Sequence, residues 1–145
     1  MSELLLLARI AGRRVAFPAL DVNSVVEIDA LTPVPGAPAF VSGLAALRSR
    51  ALTVIDSAKA LELEQATTGL EAIVAEHDGH LYALQVEAVE DVAEALSEPQ
   101  EVRGSLGSGW ERAARGMVES AAGPVLLLDA AAIVAGPAHS VQRAA

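Results

Sequence analysis

The sequence predicts a mostly β protein built from two similar small lobes with short helices. Three observations carry this. Short apolar runs broken by Gly, Pro and Asp recur about every ten residues, the spacing of small strands joined by tight turns. Apolar residues make up 52% of the chain but aromatics only 3%, so the core is aliphatic. A weak internal repeat completes the case: Leu52-Thr53-Val54-Ile55-Asp56, followed by Leu61, answers Val125-Leu126-Leu127-Leu128-Asp129, followed by Val134, with the aspartates 73 apart (129 − 56). Likewise Ala19 to Val25 echoes Ala83 to Val89, 64 residues later (83 − 19). Such lobes are too small to stand well alone and should pack across a groove. One domain over residues 1–135 is expected, with a first lobe at about 14–66, a second at about 70–135 plus the N-terminal strand, and a disordered tail at 136–145 that has nothing to bury.

Taken in order, Leu4 to Ile10 and Arg14 to Phe17 flank Ala11-Gly12-Arg13 as a hairpin. Leu20 to Ile28 fits neither period cleanly, which suggests a helical turn running into a strand. Three prolines between Thr32 and Pro38 exclude both helix and central strand and make an extended connector. Val41 to Leu47 and Ala51 to Ile55 bracket Arg48-Ser49-Arg50 as a second hairpin, and Asp56 opens a short helix through Leu61. Glu62 to Gly69 is a polar loop. Ala72 to Ala75 and Leu81 to Val86 flank a third hairpin whose Asp78-Gly79 is a strong turn signal. Gly104 to Gly109 reads as a flexible loop, and Met117-Val118 and Val125 to Leu128 flank the turn from Ser120 to Pro124.

Charge and composition narrow the function. The net charge is −9, Lys59 is the one lysine, and the arginines are scattered. Phosphates would find no basic stripe to follow, so nucleic acid is excluded as a partner and an anionic membrane would repel the chain. Glu76 to Glu101 holds eight acids and no Lys or Arg; it reads as a solvated face, or as a docking face for a basic partner. The absence of cysteine removes disulfides, thiol catalysis and Cys-ligated zinc. The apolar run Leu4 to Leu7 is too short for a signal peptide or a membrane helix, so a cytoplasmic location with no direct membrane insertion is expected.

Chemistry finds little purchase. His77 and His80 flank Asp78-Gly79 at a hairpin tip, and no pattern supplies the third ligand of a metal site. The glycines from Gly104 to Gly109 follow neither dinucleotide nor P-loop spacing, and no Gly-x-Ser-x-Gly elbow occurs. Asp56 and Asp129 are the best functional carboxylates, yet each stands where a helix N-cap is wanted, and capping explains both. No catalytic residue, metal or cofactor is assigned. What is left is an adaptor that holds other proteins together.

In their order the pieces resemble the CheW-like coupling-protein family of bacterial chemotaxis. Val22 to Val25 and then Leu31-Thr32-Pro33-Val34-Pro35 are similar to the family's strand–turn segment and "ITPVP"-like connector. Gly43-Leu44-Ala45-Ala46-Leu47-Arg48, with Thr53-Val54-Ile55-Asp56, is similar to its "GVINLRG…PVIDL" hairpin. Leu84 to Val92 and Gly116 to Asp129 are similar to its "LVDxVxxV" and "GLxxxxGxLLLLD" segments. The resemblance implies two five-stranded SH3-like β-barrel lobes related by pseudo-symmetry and a non-enzymatic adaptor between chemoreceptor cytoplasmic tips and the regulatory domain of a histidine kinase. Carried over by residue, it implies a kinase-facing edge at Leu6, Ala19 and Val22 and a receptor-facing groove at Ser24, Val25 and Arg48. The chain departs from the pattern at Ala46, Ser49, Thr53 and Ser57, and Ser24 stands where the family commonly has glutamate, with Glu27 three residues on. Those departures motivate two alternatives, a divergent antagonist that occupies kinase sites and an adaptor of another kinase pathway. A small ligand-binding β-barrel is the competing class.

Overall fold

The computed structural model describes residues 3–137. β1 (Leu4–Ile10) and β2 (Arg13–Pro18) form the first hairpin, turning through Ala11 and Gly12 at φ 51° and 80°. Two left-handed residues give a turn whose twist matches that of its strands. A 3₁₀ turn at Ala19–Asp21 leads into β3 (Ser24–Glu27). After the proline connector come β4 (Val41–Leu47), β5 (Arg50–Asp56) and α1 (Ser57–Ala60). Then follow β6 (Glu71–His77), β7 (His80–Val86) and β8 (Ala88–Glu94). The chain continues through α2 (Ser108–Ala113), β9 (Ala114–Ser120), β10 (Gly123–Leu128) and α3 (Ala130–Ala135).

Pairing sorts the strands into two five-stranded sheets, ordered β3-β6-β7-β5-β4 and β8-β1-β2-β10-β9. They are one pattern used twice, each the sheet of an SH3-like lobe. Exchanging β3, β4, β5, β6 and β7 for β8, β9, β10, β1 and β2 turns one order into the other, and the parallel pair recurs too, β5 with β7 and β10 with β2. Even an irregularity is copied. Val54 faces Gly43 and Ile55 skips to Val41, just as Leu127 faces Gly116 and Leu128 skips to Ala114. The 73-residue repeat read from the sequence is therefore structural, whereas the 64-residue echo is not: it sets the 3₁₀ turn against β7, and the ladders relate β3 to β8 at 67 residues (94 − 27). The same 67 residues (78 − 11) relate the β6–β7 turn to the β1–β2 turn.

The structure differs from the sequence reading in four further places. β6 and β7 complete the first lobe and β2 joins β1 in the second, so the lobes do not divide at about 66 to 70. Each sheet is joined internally by a parallel pair distant in sequence, β5 with β7 and β10 with β2, which local patterns do not show. The acidic segment 88–94 is a strand, pairing with β1 through Leu6–Val92 and Ala8–Val89, and α2 begins inside the expected glycine loop. Gly136 and Pro137 are buried, and a Cβ on Gly136 would come within 2.3 Å of the Phe40 ring. The rest of the expected tail, 138–145, lies outside the described residues.

Side chains alternate between three cores. Leu5, Leu7, Val125 and Leu127 fill the second lobe, and Leu52, Val54, Ala72 and Val74 fill the first. Their sequence neighbours Leu6, Ala8, Leu126, Ile55, Ile73 and Leu84 turn the other way into one cluster between the lobes. Strands buried on both faces read as continuous apolar runs, which is why Leu4 to Leu7 shows no alternation. The three helices close this central cluster, with Trp110 among its buried members. Gly109 lets α2 reach α1: a Cβ there would fall 1.8 Å from the Leu61 carbonyl oxygen.

Arg112 ties the helices together. Its guanidinium donates from Nη1 to the Ala132 carbonyl and from Nη2 to the Ala60 carbonyl. Hydrogen bonds to a charged group are worth about 1.5–3 kcal/mol, so Arg112→Ala should destabilise the fold by about 2 kcal/mol or more. An ammonium lacks the planar fork, and Arg112→Lys should recover less than half of that. Chemical denaturation of the two variants checks both expectations.

Candidate functional site

The link from the second lobe to the first carries the expected kinase-facing residues. Pro18 ends β2, and Val22 N–H donates to the Ala19 carbonyl at 3.1 Å to close the 3₁₀ turn. Ala19 is half-buried, and Val22 is partly buried against the central cluster. The structure brings these two onto one turn. Leu6 differs: it is 8% exposed, opposite Phe17 on β2, and belongs to the core behind the turn. Leu20, between Ala19 and Val22, is 95% exposed, and sequence reasoning passed it over as one more apolar residue in an apolar string.

The expected receptor-facing residues lie on the first lobe. β3 and β4 are the edges of its sheet. Thr32 and Leu44 exchange two backbone hydrogen bonds of 2.9 Å, which brings the proline connector onto β4. Gly43 makes that approach possible, since a Cβ there would lie 2.6 Å from the Thr32 carbonyl oxygen. Between the edges runs a groove lined by Val26, Glu27, Ile28, Leu44, Ala46 and Leu47. Arg48 follows Leu47 directly and is exposed, with no ion pair or hydrogen bond to its side chain among the described residues. Ser24, half-buried, and Val25, 43% exposed, begin β3 ahead of the groove wall. Glu27 and Asp29 are the carboxylates that line it. β3 exposes every second residue, Val25 and Glu27, but the adjacent Val25-Val26 hides that alternation in the sequence.

Arg48 and Ser49 form the turn with φ of 49° and 69°. Both are left-handed without being glycine, a strained choice, and Ser49 stands where the resembling family has glycine.

Other polar groups have structural tasks. Asp56 accepts from Lys59 N–H at 3.2 Å as the α1 cap, and from the Thr67 N–H and hydroxyl, which clasps the following loop. Asp129 caps α3 by accepting from Ala131 N–H at 3.0 Å. Glu90 accepts from Arg9 and Arg14, each at 2.9 Å, across β8, β1 and β2. Desolvation raises its pKa, but the hydrogen bonds and charges of the two arginines outweigh that and hold it below the usual carboxylate value. His77 and His80 pair across the β6–β7 hairpin. Among the described residues no group of three or more His, Cys, Asp or Glu is placed to hold a metal ion, and no helix is long and apolar enough to cross a membrane.

Comparison with known proteins agrees with this architecture. A family model, the CheW-like domain, matches residues 4–137. The crystal structure of the scaffolding protein TtCheW from Thermoanaerobacter tengcongensis superposes with a TM-score of 0.73 at 20% identity, covering 89% of this chain and 90% of that one. No curated protein matches the chain. A family match over almost the whole length, on two permuted copies of one five-stranded sheet, places the chain in the CheW-like domain family, as an adaptor coupling chemoreceptors to a histidine kinase in chemotaxis.

Proposed function

We propose that this adaptor acts in the cytoplasm, without chemistry of its own, by holding a kinase regulatory domain on the 3₁₀ turn between its lobes and a chemoreceptor tip on the groove between β3 and β4. The observation that carries this reading is the continuous cluster between the lobes, from Leu6 and Phe17 to Ile73 and Leu84. A close-packed core transmits position and resists deformation, so docking surfaces carried by the lobes it joins stay at fixed spacing. An adaptor needs that rigidity, and a catalyst would need convergent reactive groups instead.

Ala19 and Val22 are assigned to the kinase face, with Leu6 supporting the turn from the core. Ser24, Val25 and Arg48 are assigned to the receptor face, together with Glu27. A charge at an apolar anchor costs about 2 kcal/mol or more at an interface centre, so Val22→Asp should weaken binding of the kinase regulatory domain roughly 30-fold. Calorimetric titration with that domain and, separately, with a receptor tip checks this, alongside thermal melting. Retained receptor binding and a cooperative melt support the assignment; unaltered kinase binding sinks it.

A further inference from the structure

The two halves of the molecule are not perfect copies, and one difference falls at the entry to β3. Hairpins and ladders match at an offset of 67 residues (78 − 11 for the turns, 94 − 27 for β3 and β8), so residues 19–23 correspond to 86–90. In the second half β8 has already begun at Ala88, whereas in the first half the chain leaves β2 at Pro18 and enters β3 only at Ser24. The 3₁₀ turn, Ala19–Asp21, stands in the place of that strand entry. Its middle residue, Leu20, is the most exposed of the large apolar side chains at 95%.

A leucine held fully in water gains nothing for the fold, and the turn around it is braced. Arg115 on β9 places Nη2 3.8 Å from Asp21 and 3.4 Å from Asp129, the α3 cap. Asn23 N–H donates to the Val74 carbonyl at 2.7 Å on the far side. One end of the turn is thus held by the second lobe and the other by the first. Preorganisation of this kind lowers the entropy lost on binding. The shallow cleft beside Leu20 carries Asp21, Glu76 and Asp129 against the one cation Arg115.

We propose that Leu20 is the apolar anchor of the kinase-facing surface, held out on the three-residue 3₁₀ turn by the Arg115 clamp and fitting an apolar socket with a basic rim on the kinase regulatory domain. This rests on the adaptor reading above and names the residue that gives that face its grip. Leu20 is the anchor; Arg115 is a positioning residue that acts through it. Val22, partly committed to the core, contributes the flank.

The test is titration of the full chain with the regulatory domain of a chemotaxis histidine kinase. Leu20→Ala should weaken binding at least 30-fold with an unchanged melting temperature and unchanged receptor-tip affinity, and Leu20→Met should restore most of it. Arg115→Gln should weaken binding about 5-fold in the wild-type background and have no further effect in the Leu20→Ala background, because coupled residues are non-additive. Wild-type affinity for Leu20→Ala would overturn the anchor, and an undiminished Arg115→Gln effect in the Leu20→Ala background would overturn the positioning role. A wild-type chain that does not bind the regulatory domain would sink the adaptor reading, and this inference with it.

Discussion

Replacing Phe17 with alanine is expected to cost about 3–5 kcal/mol, the range for truncating a buried aromatic. Phe17 is fully buried on β2, in the cluster between the lobes, and is the largest of the fully buried side chains. Domains of this size are stable by about 5–15 kcal/mol, so the loss could take most of what holds the chain folded. The manner of unfolding is as informative as its extent. Ile73 and Leu84 of the first lobe share the cluster with Leu6 and Leu126 of the second, so one cavity weakens both lobes at once. Denaturation of Phe17→Ala should remain a single transition, whether followed near Trp110 in the central cluster or at Tyr82 in the first lobe. Two separated transitions would mean that the lobes are independent, and a rigid spacing between docking surfaces would then have no basis.

The pattern of what the sequence reveals follows from how local each feature is. Hairpins closed by Ala11-Gly12 and Asp78-Gly79 announce themselves, because the turn and both strands lie within a dozen or so residues. Asp56 and Asp129 were legible as caps for the same reason: the oxygen and the N–H it accepts from are two or three residues apart. β8 was hidden because it is an edge strand. Charges keep such an edge soluble, so its exposed Glu90, Asp91 and Glu94 resemble a solvated loop. α2 was hidden because Gly109, a poor helix former, is required by contact with the Leu61 carbonyl, a constraint set by a distant element. Lobe membership depends on parallel pairs such as Thr53–Tyr82, which no local pattern encodes. Among the site residues, Arg48 was legible as a hairpin end, whereas Glu27 and Leu20 gain meaning only once the groove and the 3₁₀ turn are seen.

Truncating Arg48 to alanine should reduce affinity for a receptor tip by about 2–5 kcal/mol, the cost of removing one partner from a desolvated charged pair. The guanidinium is exposed and has no partner among the described residues, so none of these competes for its donors. Its backbone is fixed by the two-residue turn joining Leu47 to Arg50, which pair across β4 and β5. A charge presented in this way is suited to a carboxylate on a helical tip, which it meets with two parallel hydrogen bonds. Lysine has the charge but not the fork, so Arg48→Lys should also lose affinity, though less than Arg48→Ala. Neither change touches the core, and thermal melts of both should match the wild type. Kinase affinity should stay constant, because the 3₁₀ turn at Ala19–Asp21 is a separate surface. If Arg48 were only a rim charge, the loss would be small and confined to the on-rate at low salt. Receptor affinity left intact by Arg48→Ala would remove the groove assignment and favour an antagonist, in which Ser49 marks a receptor motif no longer in use.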